Sequence, residues 1–286
     1  MKFSSTRVSA FGTFVMFFFL LPVFSAGLGL KKEKIIVACI GDSITFGARV
    51  EDRDTYSYPA RLQLFLGEKY HVENFGLGSC TLIRKGKPSV WSQLAKIRKS
   101  NPDIVVVILG TNDTVGGSRK CWDHKNDFPQ DYRDLIDTLR TFPSIPEVYI
   151  CAPSPMVTET PGLDRARLAN LQERQPRLQE LITVIKNIAV EKKTHYIDLN
   201  TPMADKPELF TVKDGVHPNK AGYLFMAELV YKAIRKSSRP AKGSEFSEHC
   251  CSTDRSTKVQ NQICQYHSGK ILAKQPVLQN RMTKIY

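Results

Sequence analysis

The chain has 286 residues, of which 42% are hydrophobic and 24% are charged, and its formal net charge at pH 7 is +13. This length suits one large α/β domain with an extension. The positive charge permits attraction to acidic glycans, anionic lipids or nucleic acids, but no nucleic-acid-binding motif is present. No segment after the first 30 residues is apolar for long enough to cross a membrane.

The N-terminal segment has the layout of a secretory signal peptide. Lys2 and Arg7 precede an apolar stretch over residues 8–24, and small residues follow it. We therefore predict a signal peptide over residues 1–26 and a secreted, extracellular protein. The alternative is an uncleaved signal anchor in the membrane, because apolar character continues to Leu30 and approaches the ~20 residues that span a bilayer.

Five short apolar runs follow in the rest of the chain. The first, "IIVACI", is almost uninterrupted and rich in Ile and Val, which is typical of a strand covered on both faces in a parallel sheet. The others are "HVENFG", "DIVVVILG", "EVYICAPS" and "HYIDLN", which begin at His71, Asp103, Glu147 and His195.

Helical patterns alternate with these runs. They begin at Ser57, around Tyr132, near Pro176 and after Pro218. Strands that alternate with helices predict a parallel sheet with helices on both faces. The periodicity ends near Lys236, so we predict one domain over residues 32–237.

Residues 238–286 form a basic tail that is polar and nearly devoid of aliphatic residues over its first half. We predict that this tail is disordered or tied by disulfides, rather than a second domain. Its charge suggests a weak association with anionic surfaces.

Seven cysteines are an odd number, so at least one thiol stays free or pairs with another chain. Two of them lie in apolar strand-like runs and are expected to be buried small hydrophobes, namely Cys39 and Cys151. The remaining five are the disulfide candidates in an oxidising compartment: Cys80, Cys121, Cys250, Cys251 and Cys264. No Cys or His spacing resembles a zinc site, and we predict no metal.

Polar groups follow three of the predicted strands and precede the last helix. The sequences are "GDSIT" from Gly41, "NFGLGS" from Asn74, "GTND" from Gly110 and "DGVHP" from Asp214. The carboxyl ends of parallel strands lie along one edge of a sheet, where α/β proteins bind their ligands. Residues distant in sequence are therefore expected to meet in one crevice.

Acyl transfer requires polar side chains to converge in this way. A serine hydroxyl becomes a good nucleophile when an imidazole accepts its proton and a carboxylate orients that imidazole. Ser43, His217 and Asp214 fit these three roles, and a spacing of three lets Asp214 contact His217 directly. The tetrahedral intermediate also needs preorganised hydrogen-bond donors.

The donor groups are expected at the same edge. The candidates are the Ser43 amide, an amide of the turn at Gly78 and Ser79, and the side chain of Asn112. Together with the three residues above, they would complete a site for ester hydrolysis.

The four blocks, in this order and at these separations, resemble those of the SGNH or GDSL-type serine hydrolases. The resemblance covers residues 34–236. It implies a three-layer, flavodoxin-like α/β/α sandwich with about five parallel strands, and no cofactor. It also implies that Ser43 is the nucleophile, that Asp214 and His217 complete the triad, and that Asn112 is an oxyanion donor.

Within that family, "NFGLGSCTLIRKGKPSVW", "CAPSP" and "PELFTVKDGVHPNKAGY" are most similar to the sialate O-acetylesterase-like and carbohydrate acetylesterase branch. One position departs from the pattern of that branch. The oxyanion glycine is expected where Ser79 stands, and Gly78 comes one residue earlier. Either backbone N–H can donate, so the pattern leaves open which one does; a positive φ at Ser79 would cost about 1 kcal/mol or more.

Several of these residues have a structural alternative. Ser43 could cap the helix that follows it, and Asp214 could be a turn residue. Asn112 begins the sequon Asn-Asp-Thr, which we interpret as accidental because a glycan there would block the crevice.

Four further residues are candidates for substrate binding. Asp42 and Asp113 adjoin the catalytic candidates, and a structural role is as plausible for each. Arg84 and Lys85 follow the oxyanion turn, where they form either a solvated charge cluster or an anion-binding rim for an acidic sugar.

The sequence thus predicts a secreted serine esterase that removes acetyl or other short acyl groups from a carbohydrate or a similar small ester. One alternative is a lipase or lysophospholipase on the same fold, although no long apolar lid is visible. The other is a glycan-binding protein that has lost turnover. The oligomeric state and the natural ester are left open.

Overall fold

The structure is a computed structural model, and it describes residues 34–237. One five-stranded parallel sheet has the order β2-β1-β3-β4-β5. The strands are β1 (Ile35–Gly41), β2 (Tyr70–Gly76), β3 (Ile104–Ile108), β4 (Glu147–Ala152) and β5 (His195–Asp198). This is the flavodoxin-like order, so the predicted three-layer α/β/α fold is confirmed.

Seven α-helices lie between and after the strands in the described region, with short 3-10 turns among them. Their bounds are α1 (Ser43–Phe46), α2 (Arg53–Tyr56), α3 (Tyr58–Leu66), α4 (Leu94–Ser100), α5 (Phe128–Arg140), α6 (Arg165–Glu191) and α7 (Lys220–Ser237). The three shortest, α1, α2 and α4, carry too few apolar positions to produce a clear periodicity, which explains why the sequence did not predict them.

Two hydrophobic cores cover the two faces of the sheet, because alternate residues of a strand point to opposite sides. Val37 and Cys39 belong to one core, whereas Ala38 and Ile40 belong to the other. The first core includes buried residues of α3 and α7, and the second includes those of α4 and α5. A strand buried on both faces is apolar throughout, which is what "IIVACI" indicated.

Helix α6 is longer than the sequence pattern predicted. It begins at Arg165, with the Asp164 side chain accepting a hydrogen bond from the Arg167 backbone N–H, and Pro176 lies inside it. A proline there removes one backbone hydrogen bond and costs about 3 kcal/mol in an isolated helix. Packing outweighs that cost, since Leu171 on one side of the proline and Leu178 on the other are both buried.

The four cysteines in the described region are buried. This confirms the interpretation of Cys39 and Cys151 as core residues, and it corrects the prediction of disulfides at Cys80 and Cys121, whose thiols are free. Each of those two Sγ atoms instead donates to a nearby backbone carbonyl, from Cys80 to Thr81 and from Cys121 to Arg119, both at 3.6 Å.

Between residues 34 and 237, no helix combines the length and the apolar character needed to span a bilayer. Within the same range, no group of three or more His, Cys, Asp or Glu side chains is placed to hold a metal ion. The predicted signal peptide over residues 1–26 and the predicted tail over residues 238–286 lie outside the described residues.

Candidate active site

The turn after β1 presents Ser43 at the carboxyl edge of the sheet. β1 ends at Gly41, and Asp42 caps the short helix α1 by accepting the Ile44 backbone N–H at 2.8 Å. Ser43 is thus the first residue of α1 and not its cap. The capping role that was the structural alternative for Ser43 belongs to Asp42. The turn is tight, because a Cβ on Gly41 would lie 2.0 Å from Thr45 Oγ1.

The three residues predicted to work together are in hydrogen-bonding contact. Ser43 Oγ lies 2.8 Å from His217 Nε2. On the other side of the ring, His217 Nδ1 lies 3.0 and 3.1 Å from the two carboxylate oxygens of Asp214. A proton can therefore pass from the hydroxyl to an imidazole whose tautomer a carboxylate orients.

A closed loop before α7 positions Asp214 and His217. The Thr211 N–H donates to the His217 carbonyl at 2.9 Å, and Asp214 Oδ1 accepts the backbone N–H groups of Val216 and His217 at 2.9 and 2.8 Å. Gly215 has φ +70°, and a Cβ there would lie 2.6 Å from the Val157 carbonyl oxygen. Glycine is therefore required at this turn.

Electrostatics keep Asp214 ionised. Burial acts to raise the pKa of this carboxyl group, but the hydrogen bond and the charge of His217, together with the two backbone N–H groups, outweigh it and hold the pKa well below its usual range. Arg167 also donates to the Asp214 backbone carbonyl at 2.8 Å. An ionised Asp214 is what the imidazolium of the reacting enzyme would need.

The predicted oxyanion turn follows β2. Ser79 has φ +62°, whereas Gly78 does not adopt a positive φ, so the strain anticipated at Ser79 is present. Neither the Gly78 nor the Ser79 backbone N–H forms a hydrogen bond with another described residue. The Ser79 carbonyl accepts Arg119 Nη2 at 2.7 Å, which fixes the orientation of the turn.

Asn112 lies at the same cleft, but the structure uses both of its amide N–H groups. Asn112 Nδ2 donates to Asp42 Oδ2 at 3.2 Å and to the Cys80 carbonyl at 3.1 Å. Its Oδ1 accepts from Arg119 at 3.3 Å. A hydrogen bond from Asn112 to a substrate oxygen would therefore have to share or replace one of these acceptors.

Asp42 is buried beneath the site, with 1% of its surface exposed. Burial raises its pKa to about 6, although the Ile44 N–H and the charges of His217 and Arg174 act in the opposite direction. Because Asp42 holds both α1 and Asn112, it positions the catalytic candidates and does not line the cleft.

The other three proposed substrate-binding residues are also absent from the cleft lining. Asp113 is fully buried and accepts the backbone N–H groups of Leu82 and Ile83. Arg84 forms ion pairs with Asp131 and Asp134, and Lys85 forms one with Asp127. The predicted placement of these residues at the substrate is corrected: Asp113 is structural, and Arg84 and Lys85 pair with acidic side chains that are not part of the cleft lining.

Four arginines that the sequence reasoning missed line the cleft instead. The cleft has a volume of about 490 Å³, and Arg49, Arg119, Arg167 and Arg174 are among its lining residues. Arg167 and Arg174 are seven residues apart on α6, the spacing of two turns on one face of a helix. That spacing could have indicated from sequence that Arg167 and Arg174 share a helix face. No comparable pattern in the sequence indicates that Arg49 or Arg119 lines the cleft.

The fold and this arrangement define an α/β/α protein of the SGNH type. A family model described as "GDSL-like Lipase/Acylhydrolase family" matches residues 39–224. The chain belongs to this family.

Two curated relatives are similar to the chain. An acetylxylan esterase from Xylanibacter ruminicola is 31% identical over 224 residues, which cover 72% of this chain and 44% of that protein. A multidomain esterase from Ruminococcus flavefaciens is 27% identical over 154 residues, covering 53% of this chain and 18% of that protein. The chain thus spans less than half the length of these relatives.

Solved structures support the same fold. A carbohydrate acetylesterase from Sinorhizobium meliloti aligns with a TM-score of 0.56 at 19% identity, over 71% of this chain and all of that one. The native aryl esterase of M. smegmatis aligns with a TM-score of 0.55 at 21% identity, over 70% and 98%. At these identities the likeness shows the fold alone.

Proposed function

We propose that this protein is a secreted serine esterase that hydrolyses acetyl or other short acyl esters of carbohydrates. The observation that carries the proposal is the continuous contact from Ser43 Oγ through the His217 ring to Asp214. The family membership and the similarity to an acetylxylan esterase and a multidomain esterase support the same class of reaction.

In the first half of the proposed reaction, His217 Nε2 accepts the proton of Ser43 Oγ as the oxygen attacks the ester carbonyl carbon. Asp214 stabilises the resulting imidazolium through Nδ1–H. The imidazolium then donates its proton to the oxygen of the leaving alcohol, and the C–O bond of the ester breaks. The acyl group remains on Ser43.

In the second half, His217 accepts a proton from water, which attacks the acyl carbon. The collapse of this second intermediate releases the carboxylic acid and returns the proton to Ser43 Oγ. For an acetyl ester the products are acetate and the free alcohol.

The backbone N–H groups of Gly78 and Ser79 are the donors best placed to stabilise the negative oxygen, together with the Ser43 N–H. The first two have no acceptor among the described residues, and all three residues line the cleft. Preorganised donors of this kind contribute about 10² to 10³ in rate each. Asn112 supports the hole by positioning and contributes directly only if it shares a hydrogen.

The composition of the cleft favours a polar alcohol and a short acyl group. Its aliphatic lining, within the described residues, consists of Ala48, Val115 and Val216, and the other lining residues are polar, charged or glycine. A long acyl chain would need a continuous apolar surface, which this lining does not supply. This is the reason for preferring a sugar ester over a lipid.

The first experiment compares purified wild type and Ser43→Ala on p-nitrophenyl acetate. We expect the wild type to hydrolyse the ester and Ser43→Ala to lose activity by as much as about a million-fold, the loss seen in subtilisin when its nucleophile is removed. Ser92→Ala, which removes an exposed serine hydroxyl outside the cleft, is the matched control. Full turnover by Ser43→Ala would refute the assignment.

Two further measurements separate the alternatives. A fluorophosphonate probe should label Ser43 and no other serine; glycan binding without labelling would favour a binding protein that lacks turnover. Activity that rises from acetate to octanoate esters would favour a lipase. N-terminal sequencing of the exported protein tests secretion, for which we expect a mature chain that begins near residue 27.

A further inference from the structure

The lining of the active-site cleft carries an unbalanced positive charge. Four guanidinium groups line it, from Arg49, Arg119, Arg167 and Arg174, and no Asp or Glu is among the lining residues in the described region. Like charges brought together in a partly enclosed site repel one another. Such a cluster is unfavourable unless another group compensates it.

Asp214 compensates only half of the cluster. Its carboxylate lies 3.5 Å from Arg49 Nε and 3.4 Å from Arg167 Nη2. The same carboxylate also accepts from the His217 ring, so one negative charge is shared among three cationic or potentially cationic groups. The remaining two arginines receive no charge from it.

Arg119 and Arg174 contact only neutral acceptors. Arg119 donates to Asn112 Oδ1 and to the carbonyl oxygens of Ser79 and Lys87. Arg174 donates to Thr114 Oγ1 at 2.9 Å, to the Thr111 carbonyl at 2.8 Å and to Asn170 Oδ1 at 3.3 Å; no ion pair joins either guanidinium to a carboxylate among the described residues. A guanidinium has five N–H groups, so each of these arginines retains two beyond its three bonds.

Arg174 is the most unusual of the four, because it is only 7% exposed and no carboxylate among the described residues forms a hydrogen bond or ion pair with it; the charge of Asp42 acts on it at longer range. Buried arginines are ordinarily paired with a negative charge. Burial, followed by the nearby charges of Arg167 and Arg119, lowers the pKa of Arg174 to about 10, although the charge of Asp42 acts in the opposite direction. The folded protein therefore holds a cation at a position where an added anion would be stabilising.

We infer that the ester substrate carries an anionic group, a carboxylate or a sulfate, on its sugar part, and that Arg119 and Arg174 recognise that group with support from Arg49. The inference rests on the proposed esterase function and specifies the substrate class of the same site. Arginine suits this role because its planar fork binds a carboxylate or sulfate through two parallel hydrogen bonds.

The position of Arg119 limits where the anionic group can lie on the substrate. Arg119 contacts the Ser79 carbonyl in the oxyanion turn and Asn112 across the cleft. The Arg119 guanidinium is thus hydrogen-bonded to the same turn that carries the donors proposed for the ester oxygen. The anion therefore belongs to the acylated sugar ring itself or to the adjoining one.

The test uses two esters of matched size, a mono-O-acetylated methyl glucuronoside and the corresponding methyl glucoside, with a sulfated methyl glucoside acetate as a third arm. We expect kcat/KM of wild type to be about tenfold or more higher for at least one charged ester than for the neutral one. Comparison of the two charged arms distinguishes carboxylate from sulfate. In about 1 M salt, where the Debye length is about 3 Å, the preference should shrink.

Variants test which arginines recognise the anionic group of the substrate. Arg119→Gln and Arg49→Gln should lower the ratio of charged to neutral kcat/KM toward one, and the ratio cancels any loss that falls equally on both esters. Arg98→Gln removes the same charge from the exposed face of α4 and should keep the wild-type ratio. An equal fall in the ratio for Arg98→Gln would show that net charge alone, and not the cleft, produces the preference, and would overturn the inference.

The outcomes separate this inference from the proposed function. Equal hydrolysis of charged and neutral esters by wild type would overturn the inference and leave the esterase intact. Failure to hydrolyse any ester, together with no labelling of Ser43 by a fluorophosphonate, would overturn the proposed function and this inference with it.

Discussion

Asp113 connects two segments of the active-site edge from a fully buried position. Its carboxylate accepts the backbone N–H groups of Leu82 at 3.1 Å and Ile83 at 2.9 Å, and none of its surface is exposed. Burial raises its pKa to about 7, although the two hydrogen bonds act in the opposite direction. Because its neighbour is Asn112, this buried acid ties the chain after the oxyanion turn to the loop after β3.

The raised pKa of Asp113 predicts a pH-dependent stability. Between pH ~4, near the usual pKa of Asp, and pH 7, the folded state keeps a proton that the unfolded state has lost. The free energy of unfolding therefore falls as the pH rises through this window, by up to about 1.4 kcal/mol per pH unit from this group. Asp113→Asn should make that fall shallower, as measured by urea unfolding from pH 4.5 to 8.

Asp42 contributes to both curves. Its pKa, about 6, is raised in the same direction, and its charge also raises the pKa of Asp113, so the difference between the two curves reports the titration of Asp113 together with its coupling to Asp42. Parallel curves for wild type and Asp113→Asn would contradict the prediction.

At the scale of elements, the backbone of β2 packs directly against the helix that begins with Ser43. A Cβ on Gly76, the last residue of β2, would lie 2.1 Å from the Phe46 backbone nitrogen and 2.5 Å from its Cα. Backbone atoms cannot move aside as a flexible side chain can. Glycine at this position therefore allows α1 to lie close enough to the sheet to hold the nucleophile at its edge.

Gly76→Ala should accordingly destabilise the protein by about 1–3 kcal/mol, the usual cost of inserting a methyl group into a packed site. Gly78→Ala is the matched comparison two residues away, since a Cβ on Gly78 meets nothing within 4 Å, and we expect a change within about 0.5 kcal/mol. Urea unfolding of both variants measures the difference. Equal destabilisation would show that the close approach of α1 is not what requires glycine.

At the scale of the whole molecule, the two hydrophobic cores pack on opposite faces of the same sheet. Cys39 and Cys151 lie in the core on one face, and Cys80 lies in the core on the other. Burial raises the pKa of Cys39 and of Cys80 to about 12. A thiol that is buried and protonated reacts poorly, because the thiolate is the nucleophile.

We expect native protein to resist alkylation at these three cysteines by iodoacetamide at pH 8. As urea is raised, Cys39, Cys151 and Cys80 should become reactive over one transition, because both cores share the same strands. Mass spectrometry of the labelled peptides reports each position separately. Labelling of Cys80 at a distinctly lower urea concentration than Cys39 would show that the two faces unfold independently.

The sequence by itself determined the sheet, its parallel character and the three residues of the candidate triad. These depend on local patterns: apolar runs mark strands buried on both faces, and the blocks at Ser43 and from Asp214 to His217 stand where strand ends must converge. It did not determine the start of α6, because Pro176 is a local signal that the packing of Leu171 and Leu178 overrides.

Only the tertiary structure decided which charges reach the site. Arg84 and Lys85 follow the oxyanion turn in sequence, yet they pair with acidic side chains outside the cleft lining. Arg119 and Arg174, in contrast, line the cleft from a 3-10 turn after β3 and from α6. The physical reason is that hydrogen bonding and burial depend on which residues are close in space, and not on which residues are close in sequence. A long cationic side chain can lie on either side of its backbone, and only the packed neighbours determine which side it takes.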